Sequence, residues 1–187
     1  MSKLTQYMLL KASEHWGDLE IKHYKDSNYE PLMPILQQEF PNWSSKKIKA
    51  YVDLSNNKAP GIAGVLAAKN TSGYYVGCLI YTFQQIDSET FNYPELVNSK
   101  KNLNILVVEN INSCIPILQK KIFLALIEES INMAEFHDCD YLELPTLATE
   151  HYELIREKYK AQIQDPRSFR TYIKLSKSLA LSVDDFL

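Results

Sequence analysis

The stretch from Leu103 to Leu144 limits the chain to a small set of architectures. Asn104 to Val108 is apolar and β-branched without polar alternation, which predicts a strand buried on both faces. After a loop, Phe123, Leu126, Ile127, Ile131 and Ala134 recur at helical spacing, with Lys121, Glu128, Asn132 and Glu135 on the other side, the pattern of a helix laid on a sheet. Tyr141 to Leu144 then returns as a second buried strand. Two strands joined by one long helix form a crossover, so they are expected to be parallel, right-handed neighbours within an α/β layer.

The flanking segments supply the rest of such a layer. Leu19 to Tyr24 alternates at period two and reads as a first strand. Ser27 and Glu30 have capping-box spacing ahead of Leu32, Ile35, Leu36 and Phe40; Pro31 suits a first turn, Pro34 kinks or delays the helix, and the helix ends before Pro41. Ser44 or Ser45 caps a second helix carrying Ile48, Tyr51, Val52 and Leu54. Between Ile62 and Gln85, two apolar runs separated by Thr71-Ser72-Gly73 predict a β-hairpin, with Gly77 marking a bulge or a close backbone approach. Asp87 to Lys101 reads as a loop. Thr149 caps a helix to about Lys160, and Arg170 to Leu175 is the last strand. The expected organisation is a leading arm or short helix over 1–18, one domain over 19–175 and a tail over 176–187.

The 187 residues, 45% hydrophobic, suffice for one sizeable core. A formal charge of -3 with no long basic run argues against nucleic acid as a partner. Three cysteines (Cys78, Cys114 and Cys139) without paired short spacing predict reduced thiols rather than a disulfide framework or zinc ribbon. The N-terminus lacks the apolar stretch of a signal peptide, and no run is long enough to span a bilayer, so no membrane association and a cytoplasmic location are expected. His137-Asp138-Cys139-Asp140 has metal-like composition, but adjacent turn residues rarely converge on one ion, and no metal is expected. His15, His23 and His151 stand alone and read as structural or solvated. Trp16 and Trp43 suit a packed lid, a cleft wall or an anchor for a partner.

This order of elements resembles the GNAT superfamily of N-acyltransferases over roughly Leu19 to Leu175. The best local match is LALIEESINMAEFHDCDYLEL, similar to the family's central helix, turn and following strand. The resemblance implies a mixed, twisted α/β sheet with helices on both faces, acetyl-CoA or another acyl-CoA as donor, and an amine as acceptor. The family's phosphate loop, Gln/Arg-x-x-Gly-x-Gly/Ala, falls here on Ser113-Cys114-Ile115-Pro116-Ile117-Leu118-Gln119, which has no glycine. A phosphate would then rely on a helix N-terminus, Ser113, Gln119 and the cations Lys120 or Lys121.

The resemblance also implies that backbone groups at Val107 and Val108 meet the pantetheine arm, beside Ser113, Cys114, Gln119 and Lys120; core packing accounts equally for the valines. The late helix of the family carries a tyrosine that protonates the departing thiolate. Tyr152 and Tyr159 each lie within a turn of that position; of the remaining motif only Ile155 and Lys158 agree. Glu109, at the end of the central strand, is the candidate general base, or else a solvated carboxylate. Cys114 is a candidate nucleophile without an evident base, or an inert thiol. Three activities follow: a CoA-dependent N-acyltransferase, an acyltransferase using a carrier-protein thioester, or a binding and assembly module without turnover. A homodimer or another protein is the expected partner class.

Overall fold

A computed structural model describes residues 18–26, 28–57, 63–87, 102–113, 119–160, 162–163 and 170–175. In chain order they form β1 (Glu20–His23), a 3₁₀ turn (Glu30–Leu32), α1 (Met33–Glu39), α2 (Ser45–Asn57), β2 (Ala63–Lys69), β3 (Tyr75–Asp87) and β4 (Asn102–Ser113). These are followed by α3 (Gln119–Phe136), β5 (Tyr141–Leu144), α4 (Thr149–Tyr159), β6 (Gln162–Ile163) and β7 (Thr171–Lys174). All of the expected arm over 1–18 but Asp18, the tail over 176–187, the proposed cap Ser27 and all of the expected loop over 87–101 but Asp87 lie outside the described residues; Asp87 ends β3.

The strands make one seven-stranded sheet in the order β1-β2-β3-β4-β5-β7-β6. Only β4 and β5 pair in parallel, as their crossover through α3 requires. The expected mixed α/β sheet in a single domain is therefore observed. Pro34 starts α1 rather than kinking it, because the chain already turns through the 3₁₀ segment. Asp26 and Asn28 accept the backbone N–H groups of Asn28 and Glu30 at 2.9 and 3.1 Å, ordering that entrance. Ser44 Oγ accepts the Lys47 N–H at 3.3 Å ahead of α2.

Helices cover both faces of the sheet. On β3, Gly77 faces α3: a β-carbon there would collide with Ile122 and sit 3.3 Å from Leu126 Cδ1. Gly77 pairs with Ser113 of β4, so Asn112 next to it points to the opposite face, where its amide reaches Glu39 of α1. The glycine thus serves a close helix–sheet approach, while the nearby bulge falls one residue earlier, between the Ala68 and Lys69 pairings. Gly77→Ala is expected to destabilise the fold by about 1–3 kcal/mol through overpacking, read as a lower urea midpoint at unchanged m-value.

Helix α3 buries Ile122, Phe123, Leu126, Ile127, Met133 and Ala134, close to the stripe expected from spacing. Ser130 interrupts that face at no unmet cost, since its hydroxyl donates to the Ile127 carbonyl at 2.7 Å. His137 to Asp140 form a turn with Asp138 in the left-handed region (φ 53). There Asp140 accepts the Asn104 N–H at 3.0 Å, tying the start of β5 to β4. Among the described residues no three potential ligands gather around a metal position. Cys78 and Cys139 are buried, and burial pushes the Cys139 thiol up to about 11, the direction of an unreactive thiol.

Candidate active site

The site originates in a mismatch of strand lengths. β4 runs to Ser113, but its parallel pairing with β5 covers only Ile105–Val107 against Tyr141–Glu143. Beyond Val107 the chain after β5 turns away through Pro145-Thr146-Leu147-Ala148 into α4, and the two strands part. The space between them is a cavity of about 470 Å³, walled by Glu109 to Ser113 of β4, the Pro145–Ala148 turn, Gln38 and Glu39 of α1, Gln119 and Phe123 of α3, and His151 of α4. Since α1 and α3 lie on opposite faces, the cavity at the parted strands is lined from both sides of the sheet.

Glu109 owes its place to a β-bulge. Ile80 pairs with Asn110 and Tyr81 with Val108, making Glu109 the extra residue that redirects the strand at the point of parting. Thr82, itself buried, donates to Glu109 Oε1 at 3.2 Å and accepts from Gln84 Nε2 at 3.2 Å, so its hydroxyl hydrogen is committed to the carboxylate.

Of the other residues singled out from the sequence, Ser113 and Gln119 line the cavity. Val107 and Val108 do not: Val107 packs with Leu103, Ile105, Tyr141 and Tyr172, and Val108 is in the main core. They mark the place where β4 loses its partner, and core packing accounts for their side chains. Lys120 is exposed and pairs with Glu150 at 3.3 Å, linking the first turns of α3 and α4. Cys114 lies outside the described residues. Neither Tyr152 nor Tyr159 lines the cavity; Tyr152 lies 5.9 Å from the Arg156 guanidinium, and Tyr159 packs against the core. Trp43 also lies elsewhere, stacked on Phe40 at 4.5 Å under Lys47 at the corner between α1 and α2.

His151, read from the sequence as structural or solvated, does line the cavity. Its ring stacks on Phe123 with centroids 4.4 Å apart and planes 16° from parallel. Burial holds its pKa below the ordinary histidine value of 6.5, with Glu150 opposing and Lys120 reinforcing the shift, so the neutral imidazole prevails at neutral pH. The signal available in the sequence was positional: His151 stands in the first helical turn after a buried strand. The N-cap there is Ala148 rather than Thr149, and it offers no side-chain cap; the helix dipole favours negative charge beside the cavity, with Glu150 of the first turn opposing it.

This is the architecture of the GNAT acyltransferases, and solved structures bear out the resemblance in the fold. AtaTR bound with acetyl-CoA superposes with a TM-score of 0.59 at 12% identity, covering 84% of this chain and 94% of that one. The aminoglycoside 6'-N-acetyltransferase AAC(6')-Ih from Acinetobacter baumannii gives 0.56 at 12% identity, covering 79% and 93%. Naa20 of Chaetomium thermophilum, in complex with a bisubstrate analogue, gives 0.54 at 11% identity, covering 84% and 87%. No protein-family model and no curated protein sequence matches the chain. At these identities the likeness establishes the fold, and the chemistry must be argued from the cavity.

Proposed function

We propose that the protein is an N-acyltransferase that moves an acyl group from a coenzyme A thioester directly to an amine inside this cavity. The observation that carries the reading is a cavity between the parted strands, lined from both sides of the sheet, with Glu109 on one wall and His151 on another. Direct transfer requires donor and acceptor to meet at one carbon while approaching from different sides, and a cavity lined from both faces suits that approach.

The donor fits the groups present. A pantetheine arm is a chain of amides, and the β4 edge beyond Val107 presents backbone without a β5 partner strand. Ser113, Gln119, Asn110 and Asn112 add polar side chains, while Ile111, Phe123 and Leu147 supply apolar wall. When bound, the donor supplies an activated acyl carbon. The chain's own residues would orient it, and Glu109 would take a proton from the acceptor ammonium.

A second reading, a binding module without turnover, draws on the position of Tyr152 and Tyr159 outside the cavity. Calorimetric titration with acetyl-CoA and with a phosphate-lacking analogue, followed by an amine screen, separates the two. Micromolar binding with transfer to an amine is expected. Binding without transfer from acetyl-CoA or from an acyl carrier protein would favour the module, and no heat at millimolar acetyl-CoA would overturn the donor assignment.

A further inference from the structure

We propose that His151 is the catalytic proton carrier of this site, taking a proton from the attacking nitrogen and delivering it to the departing sulfur. The inference rests on the acyltransferase reading above and adds a residue that the family pattern does not supply. Among the described residues lining the cavity, Glu39, Glu109 and His151 are the only ones with an ordinary acid–base group, and His151 alone belongs to a type that exchanges protons near neutrality in both directions. The tyrosines of α4 lie elsewhere, so among the described residues lining the cavity none is a phenol.

The local structure suits the task. Stacking on Phe123 fixes the plane of the imidazole, and the first turn of α4 fixes its height beside the Pro145–Ala148 turn. The charged groups around it are Glu150 on its own helix, Lys120 on α3, and Glu109 and Glu39 on the β4 and α1 walls. Glu150 and Lys120 bridge each other, and among the described residues His151 is the neutral titratable group at this end of the cavity. The N-terminus of α4 adds a field favouring a thiolate, partly offset by Glu150.

The steps balance. Glu109 takes the first proton from the acceptor ammonium and releases it to solvent. The nitrogen lone pair then forms the C–N bond to the thioester carbon, and the C–S bond breaks with its electron pair on sulfur. His151 accepts the second nitrogen proton and passes it to that sulfur, returning to neutral imidazole. Nitrogen and sulfur share one carbon during the exchange, so a single ring nitrogen can serve both. The net products are an amide, a thiol and one proton.

The test needs no acceptor. Coenzyme A itself is titrated with pH while bound, and its thiolate is followed by ultraviolet absorbance. In the unaltered protein the thiol is expected to ionise about one pH unit or more below free coenzyme A, because the N–H of the neutral imidazole can donate to the thiolate and the helix N-terminus adds its field. His151→Leu should remove the imidazole's share of that displacement while Glu109→Gln retains the whole of it. In the unaltered protein, NMR of the imidazole should show His151 titrating at higher pH once coenzyme A is bound, a reading independent of whether the variant folds. Bound coenzyme A with an undisplaced thiol, or a displacement as large in His151→Leu as in the unaltered protein, would overturn the role of His151 and leave the acyltransferase reading standing. Failure to bind coenzyme A at all would overturn both.

Discussion

Glu109→Gln is expected to lower kcat for acyl transfer by about 10²- to 10⁴-fold, with little change in KM for the donor. The size follows from what the substitution leaves intact. Glutamine keeps the shape of the bulge residue and an oxygen to accept from Thr82, whose hydroxyl hydrogen is already directed at that position by Gln84. The property removed is the basicity on which the proposed proton transfer from the acceptor depends. Steady-state kinetics with the amine returned by the screen, paired with thermal unfolding of both proteins, checks this. An unchanged kcat would remove Glu109 from the chemistry, and a large fall in unfolding temperature would assign its effect to the bulge.

Arg170→Met is expected to cost about 3 kcal/mol of unfolding free energy, the low end for breaking a buried ion pair. Glu143 lies on β5, opposite Val107 of β4 on one side and Tyr172 of β7 on the other. Its side chain is 10% exposed, ion-paired to Arg170, and accepts the Tyr172 hydroxyl at Oε2 at 2.6 Å. Burial, with the carboxylate beside it, pushes the Tyr172 phenol far above the ordinary tyrosine range, so it remains a donor. Removing the guanidinium leaves a buried carboxylate with its charge uncompensated. The low end of the range applies because Arg170 itself is 34% exposed and partly screened. The double variant Glu143→Gln/Arg170→Met should recover most of the loss, since a neutral amide still accepts from Tyr172 and leaves no charge stranded. Urea unfolding of the single and double variants at equal m-value measures both, and equal stability of all three proteins would sink the argument. The cluster sits where β4 and β5 last pair, so loosening it should also widen the parting on which the cavity depends.

The elements with a strong local period were legible in the residues. Tyr141 to Leu144 is β5 at both ends, the apolar stripe of α3 is largely the one buried, and the two runs flanking Thr71-Ser72-Gly73 form a hairpin. Glu109, Ser113 and Gln119 were singled out from position and resemblance, and all three line the cavity. What failed to show was β4 beyond Val108. Glu109 to Ser113 is mostly polar and reads as loop, yet it is strand, because the long β3 supplies its hydrogen-bonding partner through Gly77. A strand held from one side needs no apolar period of its own, which is why the periodicity was silent there. The start of α4 was misread for a related reason: Thr149 is a good cap by type, but the turn from β5 places Ala148 at that position.

The sequence by itself determined the alternation of elements, the parallel crossover and the faces that seek burial, because each follows from spacing within a few residues. Tertiary structure alone decided where β4 and β5 part, that the bulge falls on Glu109, and that His151 rather than Tyr152 or Tyr159 reaches the cavity. Those facts depend on the relative lengths of strands far apart in the chain and on the rotation of one helix about its axis, and neither is encoded in any local window of residues.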